Sequence, residues 1–128
     1  MKTLRQILCS KISEDDWQQT IIDCLRQFGW TVAHFRAAKT EKGWRTPVQA
    51  DGKGFPDIIA VLSITVEPPV GDKFIKKSRL LVIECKSENG KVTKDQQKWL
   101  DLFAHVPCAI VKIWRPSDWD EVLATARM

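Results

Sequence analysis

The feature that most constrains the fold is an aliphatic run, Leu80 to Ile83, that leads into Glu84 and Lys86. A run that is apolar on both faces predicts a central strand, covered on both sides of its sheet. Because side chains alternate along a strand, Glu84 and Lys86 lie on the same face of that sheet. Removing a carboxylate from water costs several kcal/mol, so Glu84 is expected to have a cation beside it, either Lys86 or a metal ion.

A second carboxylate precedes another apolar segment. The motif Gly-Phe-Pro-Asp ends in Asp57, directly before the segment Ile58 to Val66, which predicts a strand. The two strands follow each other in the chain, in the right order to lie side by side. Ligands gather at strand ends in open α/β sheets, so we expect Asp57 and Glu84 to share one crevice.

Paired carboxylates at a sheet edge indicate a metal centre. Asp57, Glu84 and the backbone carbonyl of Cys85 supply hard oxygen ligands of the kind that Mg²⁺ and Mn²⁺ prefer. Lys86 would lie beside a water on that metal. A metal ion and a lysine together lower the pKa of the water, orient it toward phosphorus and neutralise charge that develops on the phosphate.

The composition predicts one domain, residues 1–128. With 44% hydrophobic and 28% charged residues, a chain of 128 residues buries roughly two-thirds of its unfolded surface in a single core. Its net charge of +4 permits a polyanionic partner without demonstrating one. The four cysteines include no C-x-x-C pair, so neither a zinc site nor a disulfide framework is predicted. Without a signal peptide or a membrane-spanning apolar stretch, we expect a cytoplasmic protein with no membrane partner.

The order of the predicted elements is helix, strand, strand, strand, helix, strand, helix. This order indicates an α/β domain whose central sheet carries a helix on either face. The helices are predicted from Ser13 to Phe28, from Thr93 onward and from Ser117 onward, and the strands at Trp30 to Arg36, Ile58 to Val66, Leu80 to Lys86 and Cys108 to Trp114. Helical spacing places Phe28 on the apolar side of the first of these helices and Leu102 on that of the second, and Ser117 is expected to cap the third.

Two polar residues have structural explanations that need no chemistry. Glu14 lies in the first turn of a predicted helix, where a carboxylate complements the helix dipole, and the residues alone favour this reading. Gln96 forms a capping box with Thr93, which accounts for it completely. A catalytic role for either residue therefore needs separate support.

Several cations are candidates for contacts with a nucleic acid. Cations around Trp44 in the polar stretch Ala37 to Lys53 suit a phosphate backbone, although a solvated loop of mixed charge explains that composition equally well. The basic segment Lys73 to Arg79 has the same two explanations. The candidate nucleic-acid-binding residues are His34, Arg36, Lys39, Arg45, Lys53, Lys91 and Lys94.

The spacing of these motifs resembles a known family. Gly-x-Pro-Asp ending at Asp57, followed by Glu-x-Lys at the end of the next long strand, is similar to the PD-(D/E)xK nuclease superfamily. The closer likeness is to its VRR-NUC (virus-type replication-repair nuclease) family. It extends over Glu14, Gln18, Gly29-Trp30, Gln96 and the segment Trp114 to Trp119, so it covers nearly the whole chain.

The resemblance implies roles for individual residues on a restriction-endonuclease-like core, a central mixed sheet of about four strands flanked by helices. Asp57 and Glu84 become metal ligands, joined by the Cys85 carbonyl and Glu14. Lys86 becomes the lysine that orients water. Glu14 and Gln96 become supporting catalytic residues, which reverses the helix-end reading of Glu14.

The resemblance also implies an activity and a partner. The expected function is Mg²⁺-dependent or Mn²⁺-dependent endonucleolytic cleavage of DNA, often branched or junction DNA, in repair, recombination or phage replication, within a bacterial or phage-infected cell. Small members resemble dimeric Holliday-junction resolvases, which predicts a homodimer. The alternative is a DNA-binding module of the same fold with an unused active site, acting as a subunit of a repair assembly.

The six tryptophans leave the dimer prediction open. A surplus of tryptophan at the surface suits an interface anchored by large aromatic side chains. The other explanation is that most of them fill the layers between helices and sheet.

Overall fold

A computed structural model describes residues 1–35, 48–67 and 74–128, together with the backbone of two short strands at 38–40 and 43–45. None of the described helices is long and apolar enough to cross a bilayer. The helices are α1 (Leu4–Ser10), α2 (Glu14–Gln27), α3 (Lys94–Ala104) and α4 (Trp119–Ala126), and a 3-10 turn, Pro116–Asp118, precedes α4. The strands are β1 (Thr31–His34), β2 (Ala38–Thr40), β3 (Gly43–Arg45), β4 (Ile58–Val66), β5 (Ile75–Cys85) and β6 (Ala109–Trp114).

The predicted mixed α/β fold is confirmed. β1, β4, β5 and β6 form one sheet in that spatial order. β4 pairs antiparallel with β1 and β5, whereas β6 pairs parallel with β5. A parallel neighbour requires a crossover connection, which contains α3. β2 and β3 form a separate antiparallel hairpin within the stretch that composition predicts as a polar loop.

The main core lies between one face of this sheet and helices α2 and α4. Leu81, Ile83 and Cys85 of β5 are fully buried there, against side chains of both helices. Val82, on the opposite face, is also fully buried, and α3, which contacts β5 and β6, buries Leu100. The aliphatic run is therefore covered on both sides, as predicted.

Three of the six tryptophans belong to the core. Trp17 and Trp30 are 3% exposed and Trp114 is fully buried. The other three do not decide the question, since Trp99 and Trp119 are half-buried and the side chain of Trp44 lies outside the described part of the chain. Core packing thus explains three of the six tryptophans, and these three are not available to an interface.

Three details of the predicted helices are wrong. Phe28, expected on the buried side of α2, is 40% exposed because the helix ends one residue before it. Leu102 is 56% exposed, since the residue of α3 that faces the sheet is Leu100, two positions and about 200° away. Ser117 is not the N-cap of α4, because the 3-10 turn delays that helix and Asp118 occupies the cap position.

Candidate active site

The antiparallel pairing of β4 with β5 brings the two predicted metal ligands together. Ile58 pairs with Ile83, so Asp57, which precedes β4, lies opposite Glu84. The Oδ2 atom of Asp57 accepts a hydrogen bond of 2.8 Å from the backbone N–H of Cys85. This bond orients the Asp57 carboxylate at the end of β5, in the crevice that the sequence predicts.

The first turn of α2 adds a third carboxylate. Ser13 caps the helix by accepting a hydrogen bond from the N–H of Asp16, so Glu14 is the first helical residue. One carboxylate oxygen from each of Glu14, Asp57 and Glu84 lies within 4.8 Å of the others, and we call these three residues the acidic cluster. Stabilisation of the helix end remains compatible with this position, because the carboxylate is still in the first turn.

Lys86 lies beside the acidic cluster without neutralising it. Its Nζ atom is 3.7 Å from Oε1 of Glu84, and its side chain is 10% exposed. Glu84 itself is 1% exposed. Its other oxygen, Oε2, is the one buried side-chain polar atom in the described residues that has no hydrogen-bond partner. A buried carboxylate oxygen without a partner is costly, so this atom indicates a position for a ligand.

The electrostatics of the cluster show a shortage of positive charge. Burial and the neighbouring Asp57 carboxylate raise the pKa of Glu84 from its ordinary 4.5 to about 9. Burial likewise raises the pKa of Asp57 and of Glu14, although Lys86 opposes the shift in both. A divalent cation would reverse these shifts, because it stabilises the ionised form of each carboxylate.

The Cys85 side chain points away from this chemistry. It is fully buried with Leu81 and Ile83 against the main core, on the other face from Glu84. Burial raises the pKa of its thiol far above the ordinary value, which disfavours the thiolate that a metal requires. Only its backbone can serve the site, as the sequence predicts, and the role of its carbonyl remains a prediction.

Gln96 is engaged at the start of α3. Its Oε1 atom accepts a hydrogen bond of 2.9 Å from the N–H of Thr93, whose hydroxyl accepts one from the N–H of Gln96. The predicted capping box is therefore present. These contacts explain the position of Gln96 at the helix start, and its catalytic role remains a prediction.

The loop before Asp57 is packed against α3, a contact that sequence reasoning missed. Gly54 has a φ of +79°, and a Cβ atom there would lie 2.5 Å from the carbonyl carbon of Asp95 and 2.6 Å from the N atom of Gln96. Glycine is therefore required both by the backbone conformation and by the close approach. The positive φ is invisible in a single sequence, although the glycine itself signals a tight turn.

Four aromatic rings hold the same loop, and we call them the aromatic cluster: Phe35, Phe55, Trp99 and Phe103. The ring of Phe55 lies 5.0 Å from that of Trp99 and 5.1 Å from that of Phe35, in edge-to-face arrangements. The indole N–H of Trp99 donates to the carbonyl of Asp51 at 3.2 Å. Because Phe55 is two residues from Asp57, these contacts position the carboxylate.

The turn after Lys86 is also held by contacts that sequence reasoning missed. Arg115 donates from Nη2 to the carbonyl of Gly90 at 2.8 Å. The backbone N–H of Ser117 donates to Oε2 of Glu88 at 3.1 Å. The segment that follows β6 therefore fixes the turn that follows the Glu-x-Lys strand.

The described candidate nucleic-acid contacts lie at the surface. His34, Lys53, Lys91 and Lys94 are exposed, and Lys53 pairs with Asp95 at 3.4 Å. Arg36 lies outside the described residues, as do the side chains of Lys39 and Arg45. Exposure permits contact with a phosphate backbone, and the binding role of all seven remains a prediction.

Comparison with known families accounts for this arrangement. The sequence profile of the VRR-NUC domain matches residues 12–111, which include the acidic cluster, Lys86 and Gln96. No curated protein and no solved structure shows significant similarity to the chain. The match covers well over half of the chain and agrees with the mixed four-stranded sheet flanked by helices. The chain belongs to the VRR-NUC family and is a nuclease domain of the PD-(D/E)xK type.

Proposed function

We propose that this nuclease is an endonuclease that hydrolyses phosphodiester bonds in DNA and depends on Mg²⁺ or Mn²⁺. One observation carries the proposal, namely the convergence of three carboxylates beside a buried lysine. The oxygens of Glu14, Asp57 and Glu84 lie within 4.8 Å of one another, with Lys86 adjacent. A structural α/β domain has no need of such a group of charges in a partly buried position.

The donor set fits a hard divalent cation. Carboxylate oxygens are the ligands that Mg²⁺ and Mn²⁺ prefer, and Mg²⁺ is usually held by one or two carboxylates together with water and substrate phosphate. The partnerless Oε2 atom of Glu84 and the raised pKa of that carboxyl indicate that the protein alone leaves the cluster unsatisfied. Asp57, Glu84 and Glu14 would hold the ion, with the carbonyl of Cys85 as a further ligand.

The residues of the chain have distinct tasks in the proposed reaction. A bound divalent cation supplies charge neutralisation at the phosphate and acidifies water. Asp57 and Glu84 present carboxylates whose positions are fixed by the β4–β5 pairing and by the Cys85 N–H bond. Lys86 places an ammonium beside them, where it would orient the attacking water and stabilise negative charge on the phosphate oxygens. Gln96 and Glu14 support the geometry from the first turns of two helices.

The finer part of the proposal concerns the substrate and the assembly. We place the activity on branched or junction DNA, cleaved by a homodimer, in repair, recombination or phage replication in the cytoplasm. A chain with one metal site makes one cut, whereas resolving a four-way junction requires two cuts related by a two-fold axis. Three tryptophans are in the core and are not available to an interface, whereas Leu4 and Leu8 on α1, which are 71% and 54% exposed, are available to it.

Cleavage of defined DNA substrates tests the proposal. The purified protein is incubated with linear, flap and four-way-junction DNA, with and without Mg²⁺ or Mn²⁺, beside the variant Glu84→Gln. We expect the parent protein to cleave DNA only with metal and to prefer the four-way junction. The Glu84→Gln variant should not cleave any of the substrates. Tight DNA binding without cleavage under any metal would instead establish the DNA-binding module with an unused site. Light scattering during the same experiment measures the oligomeric state, and a monomer that makes paired cuts would contradict the dimer.

A further inference from the structure

One backbone carbonyl in the structure accepts two hydrogen bonds, from donors near two different residues of the acidic cluster. The carbonyl of Trp114, at the end of β6, accepts the backbone N–H of Lys86 at 3.0 Å. The same oxygen accepts the indole N–H of Trp17 at 2.9 Å. A carbonyl oxygen has two lone pairs, so it can accept both bonds at once.

The two donors belong to the two elements that must meet for the acidic cluster to form. Lys86 follows directly on β5, two residues from Glu84. Trp17 lies in α2, three residues from Glu14, and residues three apart are neighbours on one helix face. The Trp114 carbonyl therefore links the first turn of α2 to the end of β5 through a single atom.

Trp17 is held rigidly enough for this link to fix a position. It is 3% exposed, and its ring lies 6.2 Å from that of Trp119 in an edge-to-face arrangement. By contrast, the carboxylate it would position belongs to Glu14, an exposed residue at a helix end. An exposed side chain has many rotamers and is not fixed by packing. The positions that the Glu14 carboxylate can reach therefore depend on where the first turn of α2 lies relative to the sheet.

We propose that Trp17 is a positioning residue, which sets the place of Glu14 relative to Glu84 and Lys86 through its hydrogen bond to the Trp114 carbonyl. The inference rests on the proposed function, because it assigns Trp17 a part in metal binding. Removing the indole N–H leaves the carbonyl bonded to Lys86, so no buried acceptor is orphaned. Trp17→Phe should then lower stability mainly through the smaller ring that it leaves in the core, whereas its effect on the metal site comes from the lost hydrogen bond.

The chain offers a matched control. Trp30 is also 3% exposed and also donates its indole N–H to a carbonyl, that of Ala126 at 3.0 Å. Its neighbour Thr31 pairs with Val61, four residues along β4 from Asp57, which is roughly 13 Å of strand. Trp30→Phe therefore removes a buried indole N–H and the same ring volume away from the acidic cluster. It differs in one respect, because the Ala126 carbonyl at the end of α4 loses its indole donor, whereas the Trp114 carbonyl keeps the N–H of Lys86.

Calorimetric titration with MnCl₂ alone, without DNA, tests the inference on Trp17→Phe and Trp30→Phe. Thermal unfolding with chelator present measures their stability. We expect Trp17→Phe to bind Mn²⁺ about tenfold more weakly, the low end of the losses that follow when a direct partner of a metal ligand is removed, because Trp17 acts through the position of α2. Trp30→Phe should bind Mn²⁺ as the parent does. In the Glu14→Gln background, Trp17→Phe should cause no further loss, because the tryptophan acts through that carboxylate. If Trp17→Phe does not fold, benzothienylalanine at the same position keeps the shape of tryptophan without the N–H.

The outcomes are distinct. Parental Mn²⁺ affinity in Trp17→Phe, or an equal loss in both variants, would overturn the positioning role while leaving the proposed function intact. A further loss of the same size in the Glu14→Gln background would show that Trp17 acts by another route and would also overturn it. A parent protein that binds no Mn²⁺ would overturn the proposed function, and this inference with it.

Discussion

Asp57 reaches across to the neighbouring strand and accepts the backbone N–H of Cys85 at 2.8 Å. The bond is made by one of the two carboxylate oxygens, Oδ2. It also joins the start of β4 to the end of β5, beyond their last paired residues, Ile58 and Ile83. If the Asp57 carboxylate binds a metal, as we propose, it loses little conformational freedom, because the hydrogen bond already selects its rotamer.

The first prediction concerns that carboxylate. Asp57→Asn keeps an oxygen that can accept the Cys85 N–H, and it removes the negative charge. We expect it to retain the parental melting temperature without metal, and to exceed it at alkaline pH, where Glu84 ionises and would otherwise face the Asp57 carboxylate. Mn²⁺ affinity should fall by at least about tenfold. Calorimetry measures the second quantity, and unchanged affinity would remove Asp57 from the ligand set.

The second prediction concerns Lys86. A lysine that only neutralises Glu84 can be replaced by arginine with modest loss, whereas a lysine that orients water needs a compact ammonium at one place. We expect Lys86→Arg to lose most of its cleavage, by about a hundredfold or more, while it still binds Mn²⁺ and DNA. Single-turnover cleavage with saturating protein separates the chemical step from binding. If Lys86→Arg cleaves at nearly the parental single-turnover rate, Lys86 only balances the charge of Glu84 and does not orient water.

The third prediction concerns stability as a function of pH without metal. The pKa of Glu84 is about 9 in the folded protein and 4.5 when unperturbed, so between these values the folded state holds a proton that the unfolded state has released. Unfolding then releases a proton, and stability falls as the pH rises, by at most about 1.4 kcal/mol per pH unit for one group.

Thermal unfolding in chelator between pH 5 and pH 9 measures this dependence. We expect the melting temperature of the parent to fall across the range, and that of Glu84→Gln to fall less. Part of the slope should remain in the variant, because the pKa values of Asp57 and Glu14 are raised as well. Added Mg²⁺ should stabilise the parent most at the alkaline end, where its ligands are ionised. If the melting temperatures of the parent and of Glu84→Gln fall equally as the pH rises, Glu84 does not contribute to the dependence and the prediction is wrong.

The fourth prediction concerns Gly54. An alanine there meets the backbone of Asp95 at 2.5 Å and must also adopt a φ of +79°, which alone costs about 1–2 kcal/mol. Gly29→Ala is the control, since Gly29 has a φ of +92° but its added Cβ would make only an ordinary contact, 3.8 Å from Leu62. Gly54→Ala should destabilise the protein clearly more than Gly29→Ala and weaken Mn²⁺ binding, because it displaces the loop that carries Asp57. Chemical denaturation compares the two, and equal losses would show that backbone strain is the whole effect.

Local signals in the sequence were sufficient for the four strands of the main sheet and for part of the site, although β5 begins at Ile75, five residues before the predicted start, and the β2–β3 hairpin was missed. The aliphatic run before Glu84 and the apolar segment after Asp57 are uninterrupted, and their order in the chain predicted that the two strands lie side by side; that they run antiparallel was seen only in the structure. The meeting of these two carboxylates followed from that pairing. It needed no information about distant contacts, because the strands are consecutive members of the sheet.

The place of Glu14 was a different problem. From the sequence around it, Glu14 is explained as a carboxylate that stabilises the first turn of a helix. Only the resemblance to the nuclease family indicated a role in the site. Its position depends on how α2 packs on the sheet, which involves a hydrogen bond between residues 97 positions apart, Trp17 and Trp114. The contact of Gly54 with α3 is equally non-local. Periodicity and capping patterns report on neighbours in the chain, so neither contact was predictable from them.

The alternation of side chains along the end of β5 has a consequence for folding fidelity. Cys85 faces the apolar layer under α2 and α4, and Glu84 and Lys86 face the other way. A shift of one residue in the pairing register of β5 would place Glu84 and Lys86 in that layer and turn Cys85 to the opposite face. Desolvating two charges is costly, so mispaired sheets are disfavoured by the same residues that we assign to phosphodiester cleavage. Replacing Glu84 and Lys86 together with apolar residues would remove this penalty, and the resulting chain should fold with less certain strand alignment and aggregate more readily.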